Sequence, residues 1–339
     1  MNVYDKIPKI ELHLHLEGSI PLEALWELIK KYGGDPSVSN FDQLKHIFIY
    51  KDFNQFIQTW SWKNQFLKEY DDFTFITEKV ANDLKKQNIK YSEIFISPSL
   101  FKKFGLKTQR IVESIYKGIS RVKNIKIHLI VDLVRDYGPT DELRTLYEIN
   151  EVKSCGIIGI GMGGTENQFP PEPFSKLYEK ARNFGFRTTA HAGEASGPNS
   201  IWGAIRSLKV DRIGHGTRAY EDPELMEYLS EKRIPLELCP ISNLRTKVIN
   251  DFSEFPIQTF IKFGIPFSIN TDDPKMFGNS LSDEYLMLET HFNFSKNEII
   301  DIIINSIHTS WLEHREKKLL VDQFKKEMKN IFTLYSNGF

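Results

Sequence analysis

The chain has 339 residues, 40% of them hydrophobic and 26% charged, the balance of a globular protein with a sizeable core. Its 44 basic and 45 acidic residues leave a net charge of −1, so charge gives no case for nucleic acid or an anionic membrane as a partner. Two lone cysteines, Cys155 and Cys239, exclude a disulfide scaffold and argue against a thiolate zinc cage. No apolar run approaches the roughly 18 residues of a membrane span. The opening MNVYDKIPKIE lacks the apolar stretch of a secretory signal, so a cytoplasmic protein without an obligate protein partner is expected.

The first strand candidate is KIELHLHL, 9–16. Strand alternation puts His13, His15 and Glu17 on one face and Leu12, Leu14 and Leu16 on the other. The segment PLEALWELIKKYG follows with apolar residues at helical spacing and closes on a glycine. Residues 41–88 read as a helical insertion rich in aromatics, among them Phe53, Phe56, Trp60 and Trp62. It is either a lid over an apolar ligand, with Phe53 and Phe56 as substrate-binding candidates, or a packed helical pair. The strand candidates then continue as YSEIFIS (91–97), IKIHLIVDLV (125–134), GIIGIGM (156–162), FRTTAHA (186–192), RIGHG (212–216), PLELCP (235–240) and PFSINTD (266–272). Amphipathic segments such as PFSKLYEKARNFG and DPELMEYLSEKR separate them, and the tail beyond about 296 is helical. Eight strands alternating with helices predict one α/β domain over 1–339, a TIM (β/α)8 barrel with a helical insertion after strand 1 and extra C-terminal helices. An open doubly wound sheet is the other arrangement that strands this short permit.

Polar residues collect at the strand ends. His13 and His15 end the first strand, His191 the fifth with Glu194 three residues on, His215 the sixth, and Asp272 and Asp273 the eighth. In a barrel those C-terminal tips converge on one site. Three histidines and one aspartate make an N3O set suited to zinc, and zinc lowers the pKa of its water to about 7. Glu194 and His215 are then the proton-handling groups beside it. The other histidines, His46, His128, His291, His308 and His314, fall within helical or mid-strand patterns and read as structural or surface residues.

With ELHLHLEGS, GIGMGGTE, AHAGE, RIGHGTR, CPISN and NTDDP in this order, the sequence from about 7 to 312 resembles the adenosine deaminase family of the amidohydrolase superfamily. The resemblance implies one zinc ion per chain, held by His13, His15, His191 and Asp272. It implies Glu194 as the acid that protonates the ring nitrogen beside the attacked carbon. His215 would orient or deprotonate the attacking water and hold the developing oxyanion. Asp273 would hydrogen-bond the five-membered ring, and the backbone N–H of Gly164 would contact the purine. The small-molecule substrate is then an aminopurine. The leading expectation is adenosine and 2′-deoxyadenosine, converted to inosine and 2′-deoxyinosine with loss of ammonia.

Two departures from the family pattern bear on substrate. Glu17 stands where adenosine deaminases carry an aspartate that contacts the ribose 5′ end, and resembles adenine deaminases instead. Gly161 stands where the family has an early aspartate, which predicts a less crowded, less charged loop able to admit a larger 5′ substituent. Adenine and 5′-extended adenosines such as 6-amino-6-deoxyfutalosine are therefore the alternatives. A metal-dependent phosphoesterase would carry ligands for two or three ions and basic residues near the phosphate. A non-catalytic zinc protein would lack Glu194 or His215.

Overall fold

A computed structural model describes residues 2–50 and 53–336, without the side chains of 53–54 and 332–336. Strands β1 (Lys9–His15), β2 (Ile89–Ile96), β3 (Lys126–Val134), β4 (Ile157–Gly163) and β5 (Arg187–Thr188) pair in that order, every neighbour parallel. Strands β6 (His191–Ala192), β7 (Ile213–His215), β8 (Leu236–Leu238) and β9 (Phe267–Ile269) form a second parallel set.

The two sets meet at two seams. At one, the fifth predicted strand is divided. Its first half pairs with β4 and its second with β7, and the residues between keep the backbone engaged: Thr189 N–H donates to Ile160 O, and Gly214 N–H to Ala190 O. At the other, Asp272 N–H donates to His13 O at 3.0 Å and His15 N–H to Asp272 O at 2.9 Å, which joins the segment after β9 to β1. The eight expected strand segments thus occur in the expected order in an α/β fold of the TIM-barrel kind.

The helices form for local reasons. Helix α1 (Leu22–Lys31) buries Leu25, Leu28 and Ile29 and stops where Gly33 and Gly34 take φ of 88° and 91°. The expected helical insertion holds helices over Phe41–Ile47, Phe53–Asn64 and Tyr70–Lys86. Phe56 from it stacks on Phe277 at 5.1 Å, and Met276 joins this small satellite cluster. The insertion is therefore packed onto the segment that follows Asp273, with Phe56 in that contact. The side chain of Phe53 lies outside the described residues. After β9, helices Leu281–Phe292 and Lys296–Thr309 each begin with a capping box, Ser280 with Asp283 and Ser295 with Glu298. Among the described residues no helix is long and apolar enough to cross a membrane.

Strand β4 places Gly159, Gly161 and Gly163 at alternate positions, and their missing side chains leave room inside the ring. A Cβ at Gly159 would lie 2.4 Å from the Trp311 ring, and one at Gly161 would lie 2.7 Å from both Phe95 and Asp132. At Gly163 it would lie 2.5 Å from Asp132. Trp311, which follows helix Lys296–Thr309, therefore packs into the ring through the gap at Gly159. Gly159→Ala should cost on the order of 1–3 kcal/mol through overpacking. The check is a lowered thermal midpoint; an unchanged one would mean that Trp311 yields freely.

Candidate metal centre and active site

Strand alternation buries Leu12, Leu14 and Leu16 completely on the outer face of β1 and turns His13 and His15 inward, as the sequence requires. Each imidazole is then fixed by a partner. His13 Nδ1 lies 2.7 Å from Glu237 Oε2, and His191 Nδ1 lies 3.2 Å from Met162 O. A carbonyl only accepts, so His191 carries its proton on Nδ1; the Glu237 carboxylate draws the His13 proton to Nδ1 in the same way. Burial holds both imidazoles well below the usual histidine range, so they are uncharged. Their Nε2 lone pairs nevertheless face one another at 3.1 Å. Two lone pairs repel at that distance unless a cation lies between them.

The remaining donors complete the set. His15 Nε2 is 3.2 Å from His191 Nε2 and 3.3 Å from Asp272 Oδ1, and His13 Nε2 is 3.6 Å from the same oxygen. Zinc–ligand bonds of about 2.0–2.1 Å in a tetrahedron separate the donor atoms by about 3.4 Å, so these four spacings fit a zinc-sized ion. Burial alone would raise the Asp272 carboxyl, but the hydrogen bond with His15 and the neighbouring histidines hold it well below the usual range. It is thus an anionic donor. His215 also lies within ligand range of His13, His191 and Asp272, but it approaches the other oxygen, Asp272 Oδ2, at 3.9 Å. His13, His15, His191 and Asp272 could hold the metal, with His215 and Glu194 alongside.

Two of these residues sit in left-handed backbone, His215 at φ 59° and Asp272 at φ 64°. Non-glycine residues there cost of order 1–3 kcal/mol and concentrate at working sites. Nearby polar groups over-determine both. Ser242 Oγ donates to Asp272 Oδ2 at 2.6 Å. Thr217 Oγ1 donates to Asn243 Oδ1 at 2.6 Å, which turns the Asn243 amide nitrogen to His215 Nδ1 at 3.2 Å. That tautomer, assigned from the network, leaves the His215 proton on Nε2, 3.6 Å from Glu194 Oε2. Burial pushes Glu194 up to about 7, against the pull of His215. A carboxyl poised there can carry a proton near neutral pH.

The loop that bears Glu194 is held by one side chain. The Glu166 carboxylate accepts from the backbone N–H groups of Gly193, Glu194, Ala195 and Ser196, at 2.6, 3.2, 2.7 and 2.9 Å. Glu166→Ala would leave four amides without that acceptor and free the loop. A misplacement of the order of 1 Å costs about 10²-fold in rate, so kcat should fall by about that factor with zinc content kept. Steady-state kinetics with metal analysis checks this, and an unchanged kcat would show that the loop holds itself.

Beneath the metal donors lies a buried ion chain. Glu237, behind His13, has Arg212 Nε 2.6 Å from its other oxygen, and Arg212 reaches Glu93 at 2.5 Å. Arg212 also stacks 3.8 Å from the centre of the Trp311 ring. None of Glu166, Ser242, Asn243, Glu237 or Arg212 was a candidate from sequence, although each lies in or beside a quoted motif.

The other predicted residues line the approach. A Cβ on Gly18 would fall 1.6 Å from Asp273 Oδ1, so the glycine of ELHLHLEGS exists to admit Asp273. Burial and the charge of Asp272 push Asp273 up to about 7. Gly164 holds φ of 100°, with Asp136 where a Cβ would go. Glu17 is fully buried, and its Oε1 accepts from Ser97 N–H at 3.0 Å. The expectation of a less crowded, less charged loop around Gly161 is corrected here. The room left by Gly161 and Gly163 is filled by the carboxylate of Asp132, which arrives from β3.

A parallel barrel whose C-terminal tips gather histidines and an aspartate about one metal-sized point defines a metal-dependent hydrolase of the amidohydrolase kind. The model of the family described as adenosine deaminase matches residues 8–327, and the chain belongs to that family. It is similar to an adenine deaminase of Crocosphaera subtropica, 33% identical over 94% of this chain and 98% of that one. It is also similar to an aminodeoxyfutalosine deaminase of Streptomyces coelicolor, 29% identical over 94% of this chain and 83% of the relative. The crystal structure of adenine deaminase from Arthrobacter aurescens superposes with a TM-score of 0.88 at 27% identity, covering 95% of this chain and 99% of that one. The protein is accordingly a hydrolase acting on C–N bonds of cyclic amidines, a deaminase of adenine-type purines.

Proposed function

We propose that this protein binds one zinc ion through His13, His15, His191 and Asp272 and hydrolyses the 6-amino group of a small-molecule aminopurine. The observation that carries the reading is the pair of uncharged imidazoles, His13 and His191, facing lone pair to lone pair beside a protonatable Glu194. The relatives named for adenine and for aminodeoxyfutalosine weight the substrate toward adenine or a 5′-substituted adenosine, ahead of the adenosine and 2′-deoxyadenosine that the motifs suggest.

When bound, zinc supplies a Lewis acid that makes water nucleophilic at neutral pH. His215, with its proton on Nε2, steadies negative charge on the attacking oxygen; Asn243 and Thr217 keep its ring in place. Glu194 delivers a proton to the ring nitrogen next to the attacked carbon, which makes that carbon electrophilic. Asp273, pushed up to about 7, hydrogen-bonds the five-membered ring, and Gly164 approaches the purine edge with its backbone N–H. Glu17 meets the far end of the substrate. Ammonia leaves as oxygen takes its place.

Loss of the 6-amino group shifts the purine ultraviolet spectrum, so the test is direct. Zinc-replete protein is mixed with adenine, adenosine and a 5′-extended adenosine in parallel. Turnover of at least one is expected, and removal of zinc by a chelator should abolish it. No change with any of the three would sink the aminopurine assignment.

A further inference from the structure

We propose that Glu284 is a positioning residue, a buried brace that sets His215 and Asp272 together through the turn carrying Ser242 and Asn243. The activity half of its test rests on the deaminase reading above; the metal half does not.

Consecutive residues orient the two working residues that sit in left-handed backbone. Ser242 meets Asp272 and Asn243 meets His215, both from the short helix Pro240–Arg245. Neighbouring side chains on a helix point about 100° apart, so one turn can serve both partners. The same geometry makes the two contacts dependent: if that turn tilts, both move at once. Whatever fixes the turn therefore acts on the whole site.

The turn does not fix its own start. The first amides of a helix have no acceptor within it. Cys239 occupies the N-cap and makes no side-chain cap bond, and Pro240 after it has no N–H to give. Ile241 is then the first residue whose amide needs a partner. Glu284 supplies it from helix Leu281–Phe292, its Oε2 accepting from Ile241 N–H at 3.3 Å.

The other oxygen is tied to the neighbouring loop. Glu284 Oε1 accepts from Asn279 Nδ2 at 2.8 Å, and Asn279 N–H donates to Pro274 O at 3.1 Å, directly after Asp273. One carboxyl group thus joins the segments that follow β8 and β9, and those segments carry Ser242, Asn243 and Asp272. Packing alone does not account for it. Glu284 is completely buried, on a helix whose other buried residues include Leu281, Tyr285 and Leu288. Acidic residues are almost never buried this far unless paired. Among the described residues its partners are two amide donors and no cation.

The experiment is a double-mutant cycle with two readings: kcat at saturating aminopurine, and zinc affinity by competition with a chromophoric chelator. Glu284→Met roughly keeps the volume and removes both acceptors. In otherwise wild-type protein it should lower kcat at least about tenfold, less than the roughly 10²-fold of a 1 Å misplacement. Zinc affinity should fall at least about threefold, short of the effect of a direct partner of a ligand. With Ser242→Ala and Asn243→Ala already present, the same change should move either reading less than about twofold, because contacts already lost cannot be lost again. Burial pushes the Glu284 carboxyl well above the usual range, so a neutral amide is a close replacement. Glu284→Gln should therefore stay within about threefold of wild type, its carbonyl still accepting from Ile241 N–H. If Glu284→Met does not fold, Asn279→Ala carried through the same cycle decides, with a smaller loss and the same non-additivity. Equal factors in both backgrounds would mark a merely structural residue and overturn the proposal. So would Glu284→Gln falling as far as Glu284→Met. Turnover of no 6-aminopurine by zinc-replete wild type sinks the deaminase reading instead, and the zinc-affinity cycle still decides the role of Glu284.

Discussion

Glu194→Gln should keep its zinc and lose at least about 10³-fold in kcat, within the range removed with a positioned general acid. The substitution is nearly isosteric. It leaves His13, His15, His191 and Asp272 untouched, and Glu166 still accepts from the backbone amides of the loop, residue 194 among them. What disappears is a carboxyl that burial has pushed up to about 7, since an amide cannot give up a proton at neutral pH. Zinc per chain by elemental analysis and kcat at saturating substrate are the two readings. Near-normal turnover would remove Glu194 from the proton path. Loss of zinc instead would mean that the carboxylate holds the metal.

Asp272→Ala should act on the other property and release the metal. The backbone bonds that tie residue 272 to His13 and His15 survive the change, so the barrel seam stays closed. The anionic donor that lies 3.3 Å from His15 and 3.6 Å from His13 goes. Replacing a partner of a ligand costs about 10–100-fold in metal affinity, so loss of a ligand itself should cost at least about 10²-fold. Competition with a chromophoric chelator measures it. Ser242→Ala, which removes only the hydroxyl on Asp272 Oδ2, supplies the milder comparison inside that range. Full zinc occupancy and intact activity in the aspartate variant would take Asp272 out of the metal site.

The strand order and the polar strand tips could be read from the chain because both follow from periodicity. HLH at alternate positions must face one way, and a histidine or aspartate after an apolar run must sit at its end. The insertion was legible as helical, but its docking through Phe56 onto Phe277 was not, since nothing local relates residues so far apart. The supporting polar residues were missed for the same reason. Glu166 looks like part of a glycine-rich turn until the amides of 193–196 are brought to it, and Asn243 has no evident task until His215 arrives. Gly161 differs from its sequence expectation for a more instructive reason. In the sequence alone a missing side chain implies open space, whereas in a barrel the neighbouring strand fills it, and Asp132 does so. The signal was present in LIVDLV, a charge inside an apolar run.

The Trp311 indole sits within the ring, and its own backbone N–H donates to Glu93 at 2.8 Å. Arg212, between that glutamate and Glu237, also donates to Thr309 O at 3.2 Å. His13, near the start of the chain, is thus propped from behind by a relay that ends close to the last helices. Glu237 and Arg212, which hold His13, come from strands and loops far later in the sequence than the histidine itself. The alignment of His13 therefore depends on segments far along the chain as well as on its own strand.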